Sequence, residues 1–128
     1  MAVAAFLAPA GCSFGADEEA PPATGAPAGV AAVVTQLEQA TAERDFATIC
    51  DDVFTAAARE RSGGADCARL LRSAARGIER PSIEIRGITV EGKRSTVRLR
   101  TTAAGQAPLA DSLHLRRAED GWRIEALG

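Results

Sequence analysis

The sequence predicts an α+β domain in which three N-terminal helices pack in a curved, antiparallel, four-stranded sheet. Three observations carry that expectation. Apolar residues recur at helical spacing from Val30 to Ile78, and the period falls to two after Pro81. Glu91-Gly92-Lys93 and Glu119-Asp120-Gly121 then supply tight turns between successive strands. Helices in series followed by strands in series is the pattern of a sheet covered on one face.

Each helix has its own signals. Val30, Val33, Val34 and Leu37 share one stripe, which predicts a helix running to about Glu43. Arg44-Asp45 interrupts the stripe, and Asp45 is suited to cap a second helix in which Phe46, Ile49, Cys50, Val53, Phe54 and Ala57 share a face to about Arg61. Ser62-Gly63-Gly64 breaks the chain. Asp66 is the expected cap of a third helix, with Cys67, Leu70, Leu71, Ala74 and Ile78 inward and Gly77 near its end.

The strands follow. Ile83 and Ile85 alternate with Glu84 and Arg86, whereas Ile88 and Val90 fall on the opposite parity, so a β-bulge at Arg86-Gly87 is expected. Val97 and Leu99 define a second strand, and Ala103 to Ala110 a loop. Leu113 and Leu115 define a third. In the fourth, Trp122, Ile124 and Ala126 face one way and Arg123 and Glu125 the other.

Composition bounds the chemistry. The 128 residues suit one domain, and 46% apolar with 25% charged side chains is ordinary for a globular chain. Fifteen basic against 17 acidic residues leave a net charge of −2, which argues against a nucleic-acid surface. No apolar run approaches the roughly 20 residues of a membrane-spanning helix. Arginine outnumbers lysine 14 to 1 and alanine occurs 28 times, the mark of a GC-rich coding sequence. Alanine-rich helices form readily but bury little area each, so a thin core is expected. Tyrosine is absent and histidine occurs once, which favours neither acid–base catalysis nor a metal site, and no cofactor is expected.

Cys50 and Cys67 lie on the inner stripes of adjacent helices, 17 residues apart, and are expected to form a disulfide. Such a bridge persists only outside a reducing compartment. The spacing excludes a CxxC-type metal or redox site. The N-terminus points the same way. Met1 to Gly11 carries no charge, and the apolar run Ala2 to Ala8 ends in Pro9 and small residues. Residues 1–11 therefore read as a signal peptide, with a start farther upstream accounting for the missing basic region. Ala10-Gly11-Cys12 resembles the lipobox of bacterial lipoproteins, although Pro9 stands where leucine is usual. That resemblance implies lipidation at Cys12 and anchoring to the outer face of the cell membrane. An A-x-A cleavage at Ala8-Pro9-Ala10 is the alternative and would secrete the chain without an anchor. One lipid plus one disulfide uses all three cysteines, which favours the anchored form. The acidic, proline-rich stretch that follows reads as a flexible tether over residues 12–29, ahead of a domain over residues 30–128.

The helix-then-strand order, the bulged first strand and the closing segment Glu119-Asp120-Gly121-Trp122-Arg123-Ile124 together resemble the NTF2-like family, cone-shaped domains in which a curved sheet wraps around helices. The resemblance spans Val30 to Leu127. It implies either an enzyme of the ketosteroid-isomerase or polyketide-cyclase kind, with Asp, Tyr or His inside the cone, or a noncatalytic binding or dimerisation module. No such catalytic residue carries over here. His114 alternates away from the core between Leu113 and Leu115, and Asp51 and Asp52 are the paired acids that a catalytic alternative would use as base. The outer sheet face is the more informative surface. Arg86, Arg98, Arg100, His114, Arg116 and Arg123 alternate outward against Glu84 and Glu125, a candidate surface for a partner protein, an anionic head group, a cell-wall polymer or a second copy of the chain. The expectation is a noncatalytic, lipid-anchored module.

Overall fold

The computed structural model describes residues 25–128. The expected signal peptide, Cys12 and the start of the tether lie outside the described residues. The sheet is a meander with strands in the order β1 (Ser82–Glu91), β2 (Arg94–Thr102), β3 (Leu109–Ala118) and β4 (Gly121–Leu127), every neighbouring pair antiparallel. Helix α1 (Gly25–Glu43) crosses one face of it. At one end Gly29 lies under Trp122 of β4, where a Cβ would stand 3.1 Å from the indole Cδ1. At the other, the Glu38 carboxylate accepts the Ile83 backbone N–H of β1 at 2.6 Å, which also occupies a donor of an edge strand.

Helix α1 starts five residues before the expected Val30, so Gly25 to Gly29 belong to the helix and not to the tether. Proline is tolerated in a first helical turn, where the missing N–H has no intrahelical partner, and Pro27 falls there. Beyond Glu43, Arg44 takes a positive φ and the chain turns. Asp45 caps as expected, accepting from the Thr48 N–H at 3.3 Å and the Thr48 hydroxyl at 2.8 Å.

The expected single second helix is instead broken. It comprises α2 (Phe46–Thr48), a π-helical turn (Ile49–Val53), an extended Phe54 and α3 (Ala56–Arg61). The break has a tertiary cause. Phe54 forms a parallel bridge with Ile124 on the edge of β4, and the Thr55 N–H donates to the Ile124 carbonyl at 2.9 Å. Thr55 then caps α3, its hydroxyl accepting from the Ala58 N–H at 3.0 Å. Edge pairing and a new cap together outweigh helical continuity.

The expected third helix is shorter than its stripe. A 3-10 turn (Gly64–Asp66) leads into α4 (Cys67–Ala74), and Asp66 makes no side-chain cap but pairs with Arg69 at 3.4 Å. The inner face is Cys67, Ala68, Leu71 and Ala75, whereas Leu70 is 43% exposed and Ala74 also faces outward. Cys50 in the π-helical turn and Cys67 at the start of α4 are joined, with their Cα atoms 6.1 Å apart.

The sheet follows its alternation with one addition. The bulge between Ile85 and Gly87 is present, and it restores Ile88 and Val90 to the core side. A second irregularity, between His114 and Leu115, leaves Glu125 as the extra residue of β4. Ala126 therefore pairs with His114 on the outer face, and Leu127 pairs with Leu113, the reverse of simple alternation. The core lies between α1, the π-helical turn and the sheet, around Val30, Val34, Val53, Val97, Leu115 and Ile124. Ser95 is buried within it with no hydrogen-bond partner for its hydroxyl.

Two stability tests follow. Replacing Cys50 and Cys67 together by serine is expected to cost about 3 kcal/mol, read from urea unfolding of oxidised and reduced protein. Ser95→Ala removes an unsatisfied buried hydroxyl and should raise stability by up to about 1 kcal/mol, whereas a loss of similar size would mean that Ser95 has a partner.

Candidate functional site on the outer face of the sheet

Strand register orders the outer face into cross-strand rows. Glu84, Arg100 and Ala110 form one, and Gly87, Arg98 and Ser112 the next. Thr89, Thr96, His114 and Ala126 form a third, and Glu91, Arg94, Arg116 and Arg123 the last. The six residues expected to make a basic surface are thus on one face of the sheet, but they do not act alike.

Arg123 does not belong to an open surface. Its Nη1 donates to the carbonyls of Asp51 at 3.0 Å and Phe54 at 3.2 Å, and its Nη2 meets the Asp120 carboxylate at 2.5 Å. Three-quarters buried, it wraps the edge of β4 and satisfies carbonyls at the end of the π-helical turn, which corrects its place among binding residues. The same hydrogen bond holds the Asp120 carboxyl below the ordinary aspartate value.

Arg116 is also engaged. Its Nε donates to Glu125 Oε1 at 2.7 Å. That bond, against a smaller opposing effect of desolvation, keeps the Glu125 carboxyl below the usual glutamate value, and the charges of Arg94 and Arg61 add to it. Arg61, not singled out from sequence, donates to the Glu125 backbone carbonyl. The bulge turns that carbonyl toward α3, a feature no periodicity could signal. His114 Nε2 lies 3.1 Å from the Gly128 carbonyl oxygen and Nδ1 lies 3.4 Å from the Thr96 hydroxyl.

Arg86, Arg98 and Arg100 occupy the other end of the face. Arg86 meets Glu84 at 3.2 Å. The Arg98 guanidinium lies over the Cα of Gly87, in space that any side chain at position 87 would take. Arg100 has no carboxylate partner among the described residues. An open recess of about 420 Å³ lies here, lined by Arg86, Leu99, Arg100, Pro108, Leu109 and Ala110. Leu109 is 65% exposed beside it. The loop contribution was not legible in the sequence, because the register that sets Ala110 against Arg100 depends on where β3 begins.

Asp51 and Asp52 are exposed on the π-helical turn, and neither lines the recess. Asp51 Oδ1 lies 3.2 Å from Arg59 Nε, an ion pair whose N–H does not point at the oxygen. No group of three or more His, Cys, Asp or Glu side chains is placed to hold a metal among the described residues, and no described helix is long and apolar enough to cross a membrane.

This architecture is the NTF2-like fold, a curved meander with helices packed on its inner face. Solved structures with the same chain path bear that out. A designed NTF2 protein superposes with a TM-score of 0.61 at 14% identity, covering 77% of this chain and 93% of its own. An NTF2-like protein of unknown function from Shewanella baltica gives 0.54 at 14%, covering 78% and 91%. A SEC-C motif-containing protein from Rhodopseudomonas palustris gives 0.59 at 17%, covering 76% and 75%. No protein-family model matches the sequence, and no curated protein matches it.

The division among the arginines is measurable. Arg123→Met should lower stability by about 1–2 kcal/mol by unpairing the carbonyls it caps, while Arg98→Met should stay within about 0.5 kcal/mol, both read from urea midpoints. Glu125 contributes through a lowered carboxyl, so its stabilisation is present above the ordinary value near 4.5 and is lost as pH falls below it. Glu125→Gln should therefore flatten the fall in thermal stability on acidification below that pH. An unchanged acid limb would rule the ion pair out as a contributor.

Proposed function

We propose that this chain is a noncatalytic, lipid-anchored NTF2-like module at the outer face of a bacterial cell membrane, binding a partner protein or small ligand through the outer face of its sheet. The filling of the cone by the protein's own apolar side chains carries the reading. Val30, Val53 and Val97 have no exposed surface, and Leu99, Leu113 and Leu115 close the layer around them. The interior is where the resemblance would place proton-transferring groups, and the polar side chain buried there is a serine hydroxyl. A general base needs a carboxylate or imidazole within hydrogen-bond reach of its substrate. Asp51 and Asp52, the candidates for that role, stand exposed on the helical side of the molecule.

Export is supported by the Cys50–Cys67 bond, both of whose partners are buried at the junction of two helical elements. A lipid on Cys12 would account for the remaining cysteine and would leave the domain outside the reducing cytosol. The arginines without structural duties, Arg98 and Arg100 above all, supply the recognition chemistry, since a guanidinium matches carboxylate and phosphate groups in a forked geometry.

Intact mass of the protein extracted from membranes tests both halves of the anchor reading. The expected mass shows diacylation at Cys12 and the loss of two protons at Cys50 and Cys67. A full-length, unmodified and reduced chain overturns it. Joint Asp51→Asn and Asp52→Asn substitution should leave partner capture unchanged, and any turnover abolished by that pair would establish an isomerase or cyclase instead.

A further inference from the structure

We infer that the recess between β1, β2 and the start of β3 is a binding site for a small amphiphilic anion, a carboxylate or phosphate carried on a short apolar chain. The inference rests on the proposed noncatalytic binding role and names its ligand class and its location. Arg86 and Arg100 line the recess together with the apolar residues Leu99, Pro108, Leu109 and Ala110. The ion pair to Glu84 ties Arg86 in place, whereas Arg100 faces its cross-strand neighbours Glu84 and Ala110 without an ion pair of its own.

The shape comes from small residues in register. Ala110 stands directly across from Arg100, and Gly87 stands across from Arg98, whose guanidinium lies flat over it. Flattening Arg98 onto the glycine and placing alanine beside Arg100 leaves a hollow at this end of the face. Of the two guanidiniums in the lining, Arg86 is matched by Glu84 and Arg100 by no carboxylate among the described residues, which leaves the hollow one net positive charge. Such a lining selects for charge and apolar surface together. The oxyanion pairs with the forked donors of Arg100, and the chain lies along Pro108 and Leu109. Inorganic anions lack the second feature and neutral amphiphiles the first.

The test is titration of the folded, oxidised protein followed by backbone NMR, with octanoate as probe, and octanol, inorganic phosphate and phosphatidylglycerol vesicles as comparisons. Octanoate should shift the amides of Arg86, Leu99, Arg100, Leu109 and Ala110. Arg100→Gln, and Ala110→Met, which fills the hollow without altering charge, should each weaken it about tenfold. Arg117→Gln, on the same strand but at its other end, should leave affinity unchanged. If Ala110→Met fails to fold, Ala110→Val serves the same purpose. Equal binding of inorganic phosphate would reduce the site to a general anion patch, and equal binding of octanol to a greasy surface; either overturns the inference. Binding to vesicles without octanoate shifts overturns it in favour of a membrane-facing surface. Absence of octanoate binding alongside the acylated, oxidised intact mass would remove this site and leave the anchored module standing.

Discussion

The seam along the edge of β4 joins the two layers of this protein, and the remaining structure depends on it. Phe54 bridges Ile124, the Thr55 N–H donates to the Ile124 carbonyl, and Arg123 reaches round the strand to the carbonyls of Asp51 and Phe54. Immediately behind, Cys50 ties the π-helical turn to α4. These contacts matter because the helices are poor in large apolar side chains. Buried positions on α1 include Ala31 and Ala40 beside Val30 and Val34, and each alanine removes little area from water. A layer that adheres weakly by burial is instead fixed by a covalent bond and by directional hydrogen bonds at one edge.

That seam also explains why the helical region departed from its sequence pattern. Phe46, Ile49, Cys50 and Val53 keep the spacing of a helical face and are buried, so the inner stripe was legible. What the stripe could not register was the demand of the β4 edge for a strand-like partner at Phe54. Meeting it widens the preceding turn into π geometry and starts a fresh helix at Thr55. Local periodicity reports which side of a segment is apolar. It does not report an unpaired strand arriving from seventy residues downstream in the chain. The strands were legible for the complementary reason, because their alternation and turns are local, and the slip between Ile85 and Ile88 announced its own bulge. The slip at Glu125 was silent, since Ala126 is small enough to sit on either face.

Legibility of the candidate site divides in the same way. Alternation assigned the arginines correctly to one face of the sheet, but could not say which of them the fold already uses. Arg123 is committed to backbone carbonyls, Arg116 to Glu125 and Arg86 to Glu84. The first two depend on partners brought near by the seam or by strand register, and the third on a neighbour two residues away on the same strand. Counting basic residues therefore overstates the surface available to a ligand.

Position along the strands separates the arginines that the helical layer engages from those it does not. Near the β3–β4 turn they meet carboxylates and helix carbonyls, because the π-helical turn and α3 approach that end. Farther along the strands, Arg98 and Arg100 have Glu84, Gly87, Ala110 and Ser112 as their neighbours directly across, and neither makes an ion pair among the described residues. A guanidinium without a carboxylate stays hydrated, and its water is displaced at little cost by an anion that offers two oxygens in its plane. Which guanidiniums the fold occupies is thus a consequence of where the helices attach, and the asymmetry that stabilises one end leaves Arg100 at the other without an ion pair among the described residues.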